Sequence, residues 1–464
     1  MKPFISVLVW VLLCQPCQGV ERPWQKIVDP QALEVAALFK TPPPEYGLSL
    51  LWGWNGDVNR EVIQADLDMI LSRNIHVVTI EAGYDMPDPY LSDGWFGRIK
   101  IAVGEAEKRD MRVWLIDEGK YPSGFAGGKF SQERPDLRMQ GLGIAERIPV
   151  TAGQTLSRKL APEIVSAAAV HQADSTSQTI DVRSGLLNRT APQGQWEVIL
   201  VDHQFRTAVT RAANNPTRGK DAANSLCDFL NPEATRQFIA FTHAQYEKVC
   251  GDAFGHTILG FRGDEPDYAH VPWTPGIVET FEKHKGYDVR PYLASFLIDN
   301  GTVTEEARRA KADYWDIWSD LFAENFFKIQ ADWCSDRDME YMVHLNNEHR
   351  MDRLVRSTGE FFKAMRHVQV PGVDAIWNQV WPGNVADFVK LASSASHVFG
   401  RPRALTESFA AYRIRPNAVL GKWALDYQMV RGINQIEIMY YPASSSGRPR
   451  RGWLVSEEFP AVAE

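Results

Sequence analysis

Short apolar runs alternate with helical patterns along most of the chain. The run at 48–54 is followed by apolar residues at helical spacing between Val62 and Leu71, and then by the β-branched run at 76–80. Similar strand-type runs, with helical patterns between them, occur at 111–116, 257–261, 340–344, 373–377, 403–406 and 435–440. Strands that alternate with helices pair in parallel, and eight such units close a barrel. The pattern predicts an α/β protein built on a (β/α)8 TIM-type barrel.

An open, doubly wound sheet is the alternative for such a pattern. That architecture usually carries a glycine-rich phosphate loop after its first strand. Here the first strand leads into Gly53-Trp54-Asn55-Gly56, which lacks the GxGxxG spacing. We therefore favour the closed barrel.

Two segments interrupt the barrel pattern. Residues 148–212 carry short alternating apolar runs among Thr, Ser, Gln and Gly, which predicts a small β-rich insertion after the third strand. The barrel then occupies 20–147 and 213–445. Helices are predicted at 96–109 and 232–249, and a long one at 305–336 carries Trp and Phe at helical spacing, which is typical of a core face.

The two ends of the chain differ from the barrel pattern. Lys2, an apolar run at 4–13 and the small Gly19 predict a secretory signal over residues 1–19, and this run is too short to span a membrane. We expect a secreted or periplasmic protein without a membrane span. Its remaining cysteines, Cys227, Cys250 and Cys334, are an odd and widely spaced set that predicts free thiols.

Charge and aromatic content narrow the function. Lys and Arg number 50 against 58 Asp and Glu, a net charge of -8, so the chain lacks the basic surplus of a nucleic-acid-binding protein. The 15 Trp, 14 Tyr and 22 Phe supply apolar faces that suit buried cores and also stack on sugar rings.

The candidate chemistry follows the predicted strands, because the loops after the strands build the active site of a barrel. Acidic, amide and aromatic residues predominate there, a combination that suits sugar hydroxyls and sugar ring faces. The candidates for binding a glycoside or oligosaccharide are Trp54, Asn55, Asp117, Glu118, Asp264, Asp267, Trp273, His344, Asn346, Glu348, Trp377, Asn378 and Tyr412.

Two carboxyl groups are the candidates for catalysis, because glycoside hydrolysis needs one carboxylic acid and one carboxylate. Asp264, Glu265 and Asp267 repel one another, which raises the pKa of at least one of them, although such residues also cap helices. Glu407 ends a buried strand. A zinc peptidase or a serine hydrolase is disfavoured because the chain shows no HExxH at His344 and no GxSxG elbow at its serines.

Several of these segments resemble the α-L-rhamnosidase family, glycoside hydrolase family 106. The similar motifs, in chain order, are 115–128 (LIDEGKYPSGFAGG), 263–266 (GDEP), 272–275 (PWTP), 285–288 (KGYD), 291–293 (PYL), 392–397 (ASSASH), Gly400, 406–409 (TESF) and 432–434 (GIN). The resemblance implies a secreted enzyme that removes a terminal deoxysugar, typically rhamnose, with inversion. The sequence itself requires no cofactor, whereas the resemblance implies that calcium can assist.

The resemblance leaves the general acid open between two residues. Counting back from Trp273, the acid of the family falls on Asp267, whereas the nearest Glu is Glu265. We assign the acid to Glu265, with Asp267 as the alternative, and the base to Glu407. Carboxyl groups only about 5 Å apart would favour a retaining mechanism instead. The alternatives are a retaining glycosidase of another specificity and a carbohydrate-binding barrel without catalysis.

The tail also departs from the family. Members generally continue into β-sandwich domains, which we expect to be absent here because only 446–464 remain beyond the barrel. This short tail is consistent with an incomplete gene product.

Overall fold

The computed structural model describes residues 31–206, 225–268, 270–298, 304–412 and 417–443. The predicted signal at 1–19, the last part of the predicted insertion and the tail at 446–464 lie outside these ranges. The strands are β1 (Ser49–Trp54), β2 (Val77–Ala82), β3 (Arg112–Ile116), β4 (Gln140–Thr151), β5 (Thr155–Lys159), β6 (Ile164–His171), β7 (Ser177–Ile180), β8 (Leu186–Thr190), β9 (Gln195–Phe205), β10 (Ile258–Asp264), β11 (Val271–Trp273), β12 (Glu340–His344), β13 (Val370–Ala375), β14 (Leu405–Ser408) and β15 (Gln435–Pro442).

Eight of these strands form a closed barrel in the order β1-β15-β14-β13-β12-β10-β3-β2. Every neighbouring pair is parallel. The predicted (β/α)8 barrel is therefore confirmed. The strand predicted at 373–377 ends at Ala375, so that Trp377 and Asn378 lie in the loop after β13.

Helices surround this barrel. They are α1 (Ala32–Leu38), α2 (Arg60–Ser72), α3 (Asp93–Glu107), α4 (Lys129–Glu133), α5 (Pro232–Phe241), α6 (His243–Cys250), α7 (Ile277–Lys285), α8 (Arg290–Leu293), α9 (Glu305–Phe322), α10 (Lys328–Ser335), α11 (Met351–Ser357), α12 (Phe361–Met365), α13 (Lys390–Val398) and α14 (Ala418–Met429). Polar side chains cap several of them: Asn59 accepts from the Val62 N–H at 3.0 Å, and Thr304 accepts from the Ala307 N–H at 3.2 Å.

The predicted helix at 232–249 is two helices. Thr242 separates α5 from α6 with backbone angles outside the helical range, φ −118° and ψ −87°. Its hydroxyl donates to the carbonyl oxygen of Phe238 at 2.8 Å, a side-chain bond that competes with the helical ladder. The helix predicted at 305–336 is continuous through α9, a π-helical turn at Ala323–Phe327, and α10.

The insertion is an antiparallel sheet in the order β11-β4-β9-β6-β7, beside a two-stranded sheet of β5 and β8. It starts at Gln140, earlier than the predicted boundary at 148. It also recruits β11, which follows the barrel strand β10 and pairs with the start of β4. The insertion is therefore joined to the barrel at the loop that carries Glu265.

The barrel interior changes from apolar to charged along its axis. One end is filled by a layer of apolar side chains: Val77, Trp114, Leu259, Met342, Val370 and Leu405. Near the carboxyl ends of the strands the buried inward residues are ionisable instead, and a barrel places its chemistry at that end. A search of the described helices found none with the length and apolarity of a membrane span.

Candidate active site

Arg262 lies at the centre of the charged cluster. It is on β10, and its side chain is wholly buried. Its Nη1 donates to Asp264 Oδ1 at 3.1 Å, its Nη2 donates to Glu407 Oε2, and its Nε lies 2.8 Å from Glu437 Oε2. Burial disfavours the charged guanidinium, but the three carboxylates outweigh that effect and raise the pKa of Arg262 well above its usual value.

His344 ends β12 and contacts two of the same carboxylates. Its Nε2 lies 3.1 Å from Asp264 Oδ1 and 3.1 Å from Glu407 Oε2, and its Nδ1 is 3.2 Å from the carbonyl oxygen of Leu345. Burial disfavours a charged imidazole, yet the hydrogen bonds to Asp264 and Glu407 raise the pKa of His344 well above its ordinary value. Arg262 opposes this rise, since its Nη2 lies 3.0 Å from the same Nε2.

The cluster places Arg262 and His344 among three carboxyl groups, those of Asp264, Glu407 and Glu437. Burial alone would raise the pKa of Asp264, but Arg262 and His344 hold it below its usual range. Glu437 lies deeper, on β15, and accepts from the Thr79 hydroxyl. Burial raises the pKa of Glu437 despite the attraction of Arg262. Strand register produces this cluster, because Asp264 is opposite His344 and Glu407 is opposite Glu437 in neighbouring strands.

Glu265 directly follows β10 in a left-handed backbone conformation, with φ of 42°. Such a conformation in a residue other than glycine persists only where the surroundings hold it. Ser123 provides that hold: its hydroxyl accepts from the Asp264 N–H at 2.6 Å, and its own N–H donates to the Asp264 carbonyl oxygen at 2.8 Å. The Ser123 hydroxyl also donates to Asp117 Oδ1 at 2.6 Å, so that the loop after β3 fixes the start of the Glu265 loop.

The Glu265 carboxyl group is poised to carry a proton. Its pKa is raised to about 7, chiefly by burial; the charges of Asp264 and Glu407 add to the rise, while His344 and a hydrogen bond with Asp374 oppose it. The carboxyl group of Asp374, on β13, hydrogen-bonds to Glu265. Burial, together with the charges of Glu407 and Glu265, raises the pKa of Asp374 well above its usual value.

Asp267, the alternative acid, is held by Asn346. The Asn346 amide donates to Asp267 Oδ2 at 2.9 Å, while Asp267 Oδ1 is buried and takes no hydrogen bond from the described residues. Burial raises the pKa of Asp267 to about 7, and the charge of Glu265 adds to the rise. The predicted acids thus have similar pKa values, and the structure brings both next to the cluster.

Three other predicted acids serve the loops around the cluster. Glu348 accepts from the Leu345 N–H at 2.8 Å, and burial raises its pKa to about 8. Asp117 is wholly buried beneath Ser123. Glu118 accepts from the backbone N–H groups of its own loop, at Gly119, Ala126 and Gly127. The structure corrects the expectation that Glu118 binds substrate, because its carboxylate is taken up by its own loop.

The predicted aromatic platforms divide into core and rim. Trp54 is wholly buried, with its ring 5.3 Å from those of Trp52 and Trp95, and Trp273 stacks on His203 at 5.2 Å. The structure therefore corrects the expectation that Trp54 and Trp273 offer free faces to a sugar. Trp377 is 45% exposed at the rim.

The other predicted polar residues also lie in the loops after the strands. Tyr412 is buried and donates to the Val380 carbonyl oxygen at 3.3 Å. The carbonyl oxygen of Asn378 accepts from Asn384 at 3.3 Å. Asn55 donates to the Tyr440 hydroxyl at 2.7 Å.

Three members of the cluster escaped the sequence analysis: Arg262, Asp374 and Glu437. Each lies inside a strand of the barrel, on β10, β13 and β15 respectively. A signal was available, since an ionisable residue within an otherwise apolar barrel strand is costly unless it is paired. Arg262 also precedes Asp264 by two positions, the spacing that places both on one face of a strand.

Calcium, which the family resemblance implied, does not fit these residues. Among the described residues, two groups bring three ligand atoms within 4.8 Å of one another: Asp264, His344 and Glu407, and Glu265, His344 and Asp374. Calcium prefers about six to eight oxygen ligands. Both groups contain an imidazole, and the guanidinium of Arg262 already binds two carboxylates of the first.

The fold and the cluster define a class of protein: a barrel with a proton-carrying carboxyl group beside a paired carboxylate at the carboxyl ends of its strands, the layout of a glycosidase. The family model for alpha-L-rhamnosidase, glycoside hydrolase family 106, matches residues 145–441. The chain belongs to that family, and the predicted family membership is confirmed.

Two relatives extend the comparison. A protein of Formosa agariphila named "Putative beta-glucuronidase" is 21% identical over 438 residues, which cover 82% of this chain and 35% of the relative. The solved rhamnosidase from Novosphingobium sp. PP1Y is 15% identical, with a TM-score of 0.66, and the alignment covers 90% of this chain and 57% of that one. The latter likeness shows the shared fold. The chain spans about a third of the first relative and just over half of the second.

Proposed function

We propose that the protein hydrolyses the glycosidic bond of a terminal neutral deoxysugar of the α-L-rhamnose type. The observation that carries this proposal is the pairing of Glu265, whose pKa lies at about 7, with Glu407, which accepts from Arg262 and His344. Glu265 can therefore give a proton near neutral pH, and the Glu407 carboxyl group, which Arg262 and His344 hold in place, is the candidate base. Membership of family 106 supports the choice of sugar.

In the proposed mechanism Glu265 is the general acid. It gives its proton to the glycosidic oxygen as the bond between that oxygen and the anomeric carbon breaks. Glu407 takes a proton from a water molecule, whose oxygen forms the new bond to the anomeric carbon. The sugar then leaves with an inverted configuration, as the family resemblance implies. Exchange with solvent returns the proton to Glu265 and removes it from Glu407.

The charges at the mouth favour a neutral sugar over a uronic acid. A uronate would bring a further carboxylate to a group that already holds Asp264, Glu407 and Glu437. The buried Arg262 is engaged by these carboxylates. A glucuronide, suggested by the name of the Formosa relative, is therefore the second substrate to test rather than the first.

A panel of aryl glycosides tests the proposal, with the α-L-rhamnoside first and the β-D-glucuronide as the competing arm. The Glu265→Gln and Glu407→Gln variants should each lower kcat by about 10²–10⁴-fold. The exposed Glu61→Gln variant, on α2, is the matched control and should keep wild-type rates. Proton NMR of the first product formed distinguishes inversion from retention. Near wild-type turnover by Glu407→Gln would refute its role as the base.

The pH dependence tests the acid separately. Since Glu265 must be protonated and its pKa is about 7, kcat/KM should be high below pH 7 and should fall as pH rises through that value. The Asp267→Asn variant should keep this alkaline limb if Glu265 is the acid. Loss of the limb in Asp267→Asn would assign the acid to Asp267 instead. Sugar binding without turnover on any glycoside would favour the alternative of a carbohydrate-binding barrel.

We also propose that the enzyme is exported, on the basis of the signal-type residues 1–19. The mass of the protein recovered outside the cytoplasm should correspond to a chain that starts near residue 20. Recovery of the full-length chain from the cytoplasm alone would refute this proposal.

A further inference from the structure

A second ionic group lies at the barrel mouth, on the side formed by β15, β1, β2 and β3. The Lys120 ammonium donates to Glu81 Oε2 at 2.7 Å. Glu81 is near the end of β2, and Lys120 lies in the loop that follows β3. Their side chains are only 8% and 11% exposed. Glu81 comes two residues after Thr79 on the same face of β2, and Thr79 donates to Glu437 beside Arg262, so the ion pair shares the mouth with the charged cluster.

Two tyrosines enclose the ammonium group. Lys120 Nζ lies 5.2 Å from the centroid of the Tyr84 ring and 5.9 Å from that of the Tyr440 ring, within the range of cation–π contacts. Asn55 connects the two tyrosines, because its amide donates to the Tyr440 hydroxyl at 2.7 Å and its oxygen accepts from the Tyr84 N–H at 3.1 Å. The group is thus held by side chains from four neighbouring parts of the barrel rim.

Gly53 makes room for this arrangement. A Cβ atom at Gly53 would lie 1.8 Å from the Tyr440 hydroxyl and 1.9 Å from two ring carbons. The Tyr440 ring can therefore lie against β1 only because position 53 carries no side chain.

Stability alone does not account for the ion pair. Replacing a buried pair with apolar residues of similar volume is often neutral or stabilising. Ionisable groups held in a cleft are instead typical of functional sites. A carboxylate can accept from two hydroxyl groups, and an ammonium can donate to three acceptors. Together they match the adjacent hydroxyl groups of a sugar ring.

We propose that Glu81, Lys120 and Tyr440 form a subsite that binds adjacent hydroxyl groups of the sugar whose glycosidic bond faces Glu265 and Glu407. Glu81 accepts from the sugar hydroxyls, and Lys120 and Tyr440 donate to their oxygen atoms. The ligand class is a neutral sugar with free adjacent hydroxyls. This assignment rests on the proposed function and adds the residues that select the sugar.

The test is direct binding of L-rhamnose and methyl α-L-rhamnoside, measured by saturation-transfer NMR and calorimetry on the full chain. The principal variant is Lys120→Met with Glu81→Leu, which removes both charges and leaves neither buried alone. The matched control is Lys129→Met with Glu133→Leu, a pair at 2.8 Å on the surface of α4. A milder variant, Tyr440→Phe, keeps the ring and removes only its hydroxyl.

A subsite predicts that the Lys120/Glu81 double variant keeps its melting temperature and binds both sugars at least tenfold more weakly, while the Lys129/Glu133 control binds normally. Tyr440→Phe should weaken binding about threefold to tenfold. Wild-type affinity in both the double variant and Tyr440→Phe would overturn the subsite, as would the absence of sugar binding by the wild-type protein. If the double variant does not fold, the sugar affinity of Tyr440→Phe alone tests the subsite.

A different observation would refute the catalytic roles proposed for Glu265 and Glu407. Rhamnoside turnover that is unaffected by Glu265→Gln and Glu407→Gln would overturn the assigned acid and base, whatever the binding measurements show. Conversely, wild-type sugar affinity in the subsite variants would leave that acid and base in place.

Discussion

At the scale of single residues, Arg262 determines which charges the buried groups at the barrel mouth can carry. It contacts Asp264, Glu407 and Glu437 together, and it is wholly buried. Removal of one partner of a buried ion pair leaves an uncompensated charge, which costs far more than the intact pair contributes. The carboxylates of the proposed active site are therefore tolerated because this guanidinium lies among them.

The Arg262→Met variant should lower the free energy of unfolding by about 3–5 kcal/mol at pH 8. The deficit should shrink at pH 5, because the unpaired carboxyl groups acquire a raised pKa and can then bind protons in the folded state. Urea unfolding at the two pH values measures both effects. Arg308→Met, at a largely exposed arginine of α9, is the control, with an expected change within about 0.5 kcal/mol. An equal Arg262→Met deficit at both pH values would contradict this account.

The polar residues at or just beyond the ends of the predicted strands were predictable, whereas Arg262, Asp374 and Glu437 were not. Glu265, Glu407, Asp264 and His344 meet in the structure as the strand ends suggested. Trp54 was misassigned because nearness to a strand end does not determine which face of the strand a side chain occupies. A barrel strand is covered on both faces, so its apolar run carries no alternation from which that face could be read.

At the scale of elements, the surrounding helices support the barrel. The aromatic stripe of α9 is an example. Tyr314, Trp318 and Phe322 are buried on one face of this helix. The Phe322 ring stacks on that of Phe229 at 5.0 Å, and the Trp318 ring lies 5.8 Å from that of Tyr268. Tyr268 comes three residues after Glu265, so this packing also supports the proposed active site.

Trp318→Ala should lower the free energy of unfolding by about 3–5 kcal/mol, because it opens a cavity beneath the Glu265 loop. Chemical denaturation measures this loss. Lys311→Ala, two turns earlier on the exposed side of α9, should change stability by less than about 0.5 kcal/mol. A small effect of Trp318→Ala would mean that the stripe does not hold α9 against the barrel.

Helical spacing was sufficient to predict this stripe, but two other features of the elements depend on distant or local bonds. The break at Thr242 follows from a side-chain hydrogen bond within the helical pattern, to the carbonyl oxygen of Phe238. The strand β11 joins the insertion through pairing with Gln140 and its neighbours, far away in the sequence. Apolar periodicity reports neither kind of interaction.

At the scale of the whole molecule, buried carboxyl groups with a raised pKa make the free energy of unfolding depend on pH. Burial raises the pKa of Glu118 to about 8, that of Asp228 to about 7 and that of Glu348 to about 8. In an unfolded chain such groups titrate near pH 4. Between about pH 4 and the raised pKa of each group, the carboxyl group is protonated in the folded protein and ionised in the unfolded chain. The stability contributed by these groups is therefore complete below about pH 4 and is lost as pH rises to about 8.

Asp228 offers the cleanest test of this coupling. Its carboxyl accepts from Thr274 at 2.6 Å, from the Leu230 N–H at 3.1 Å and from Tyr268 at 3.3 Å. In Asp228→Asn the amide oxygen can keep two of these bonds, and its NH₂ group can donate to the Thr274 hydroxyl. The variant removes one titrating proton without removing the side chain.

The free energy of unfolding of the wild-type protein should fall between pH 5 and pH 8.5. One proton contributes a slope of about 1.4 kcal/mol per pH unit, so Asp228→Asn should show a decline that is shallower by up to this amount between pH 5 and pH 7. Urea unfolding across this range measures both slopes. Asp136→Asn, at an exposed carboxylate whose pKa is lowered by Arg134, should keep the wild-type slope. An unchanged slope in Asp228→Asn would show that its carboxyl group is already ionised in the folded protein.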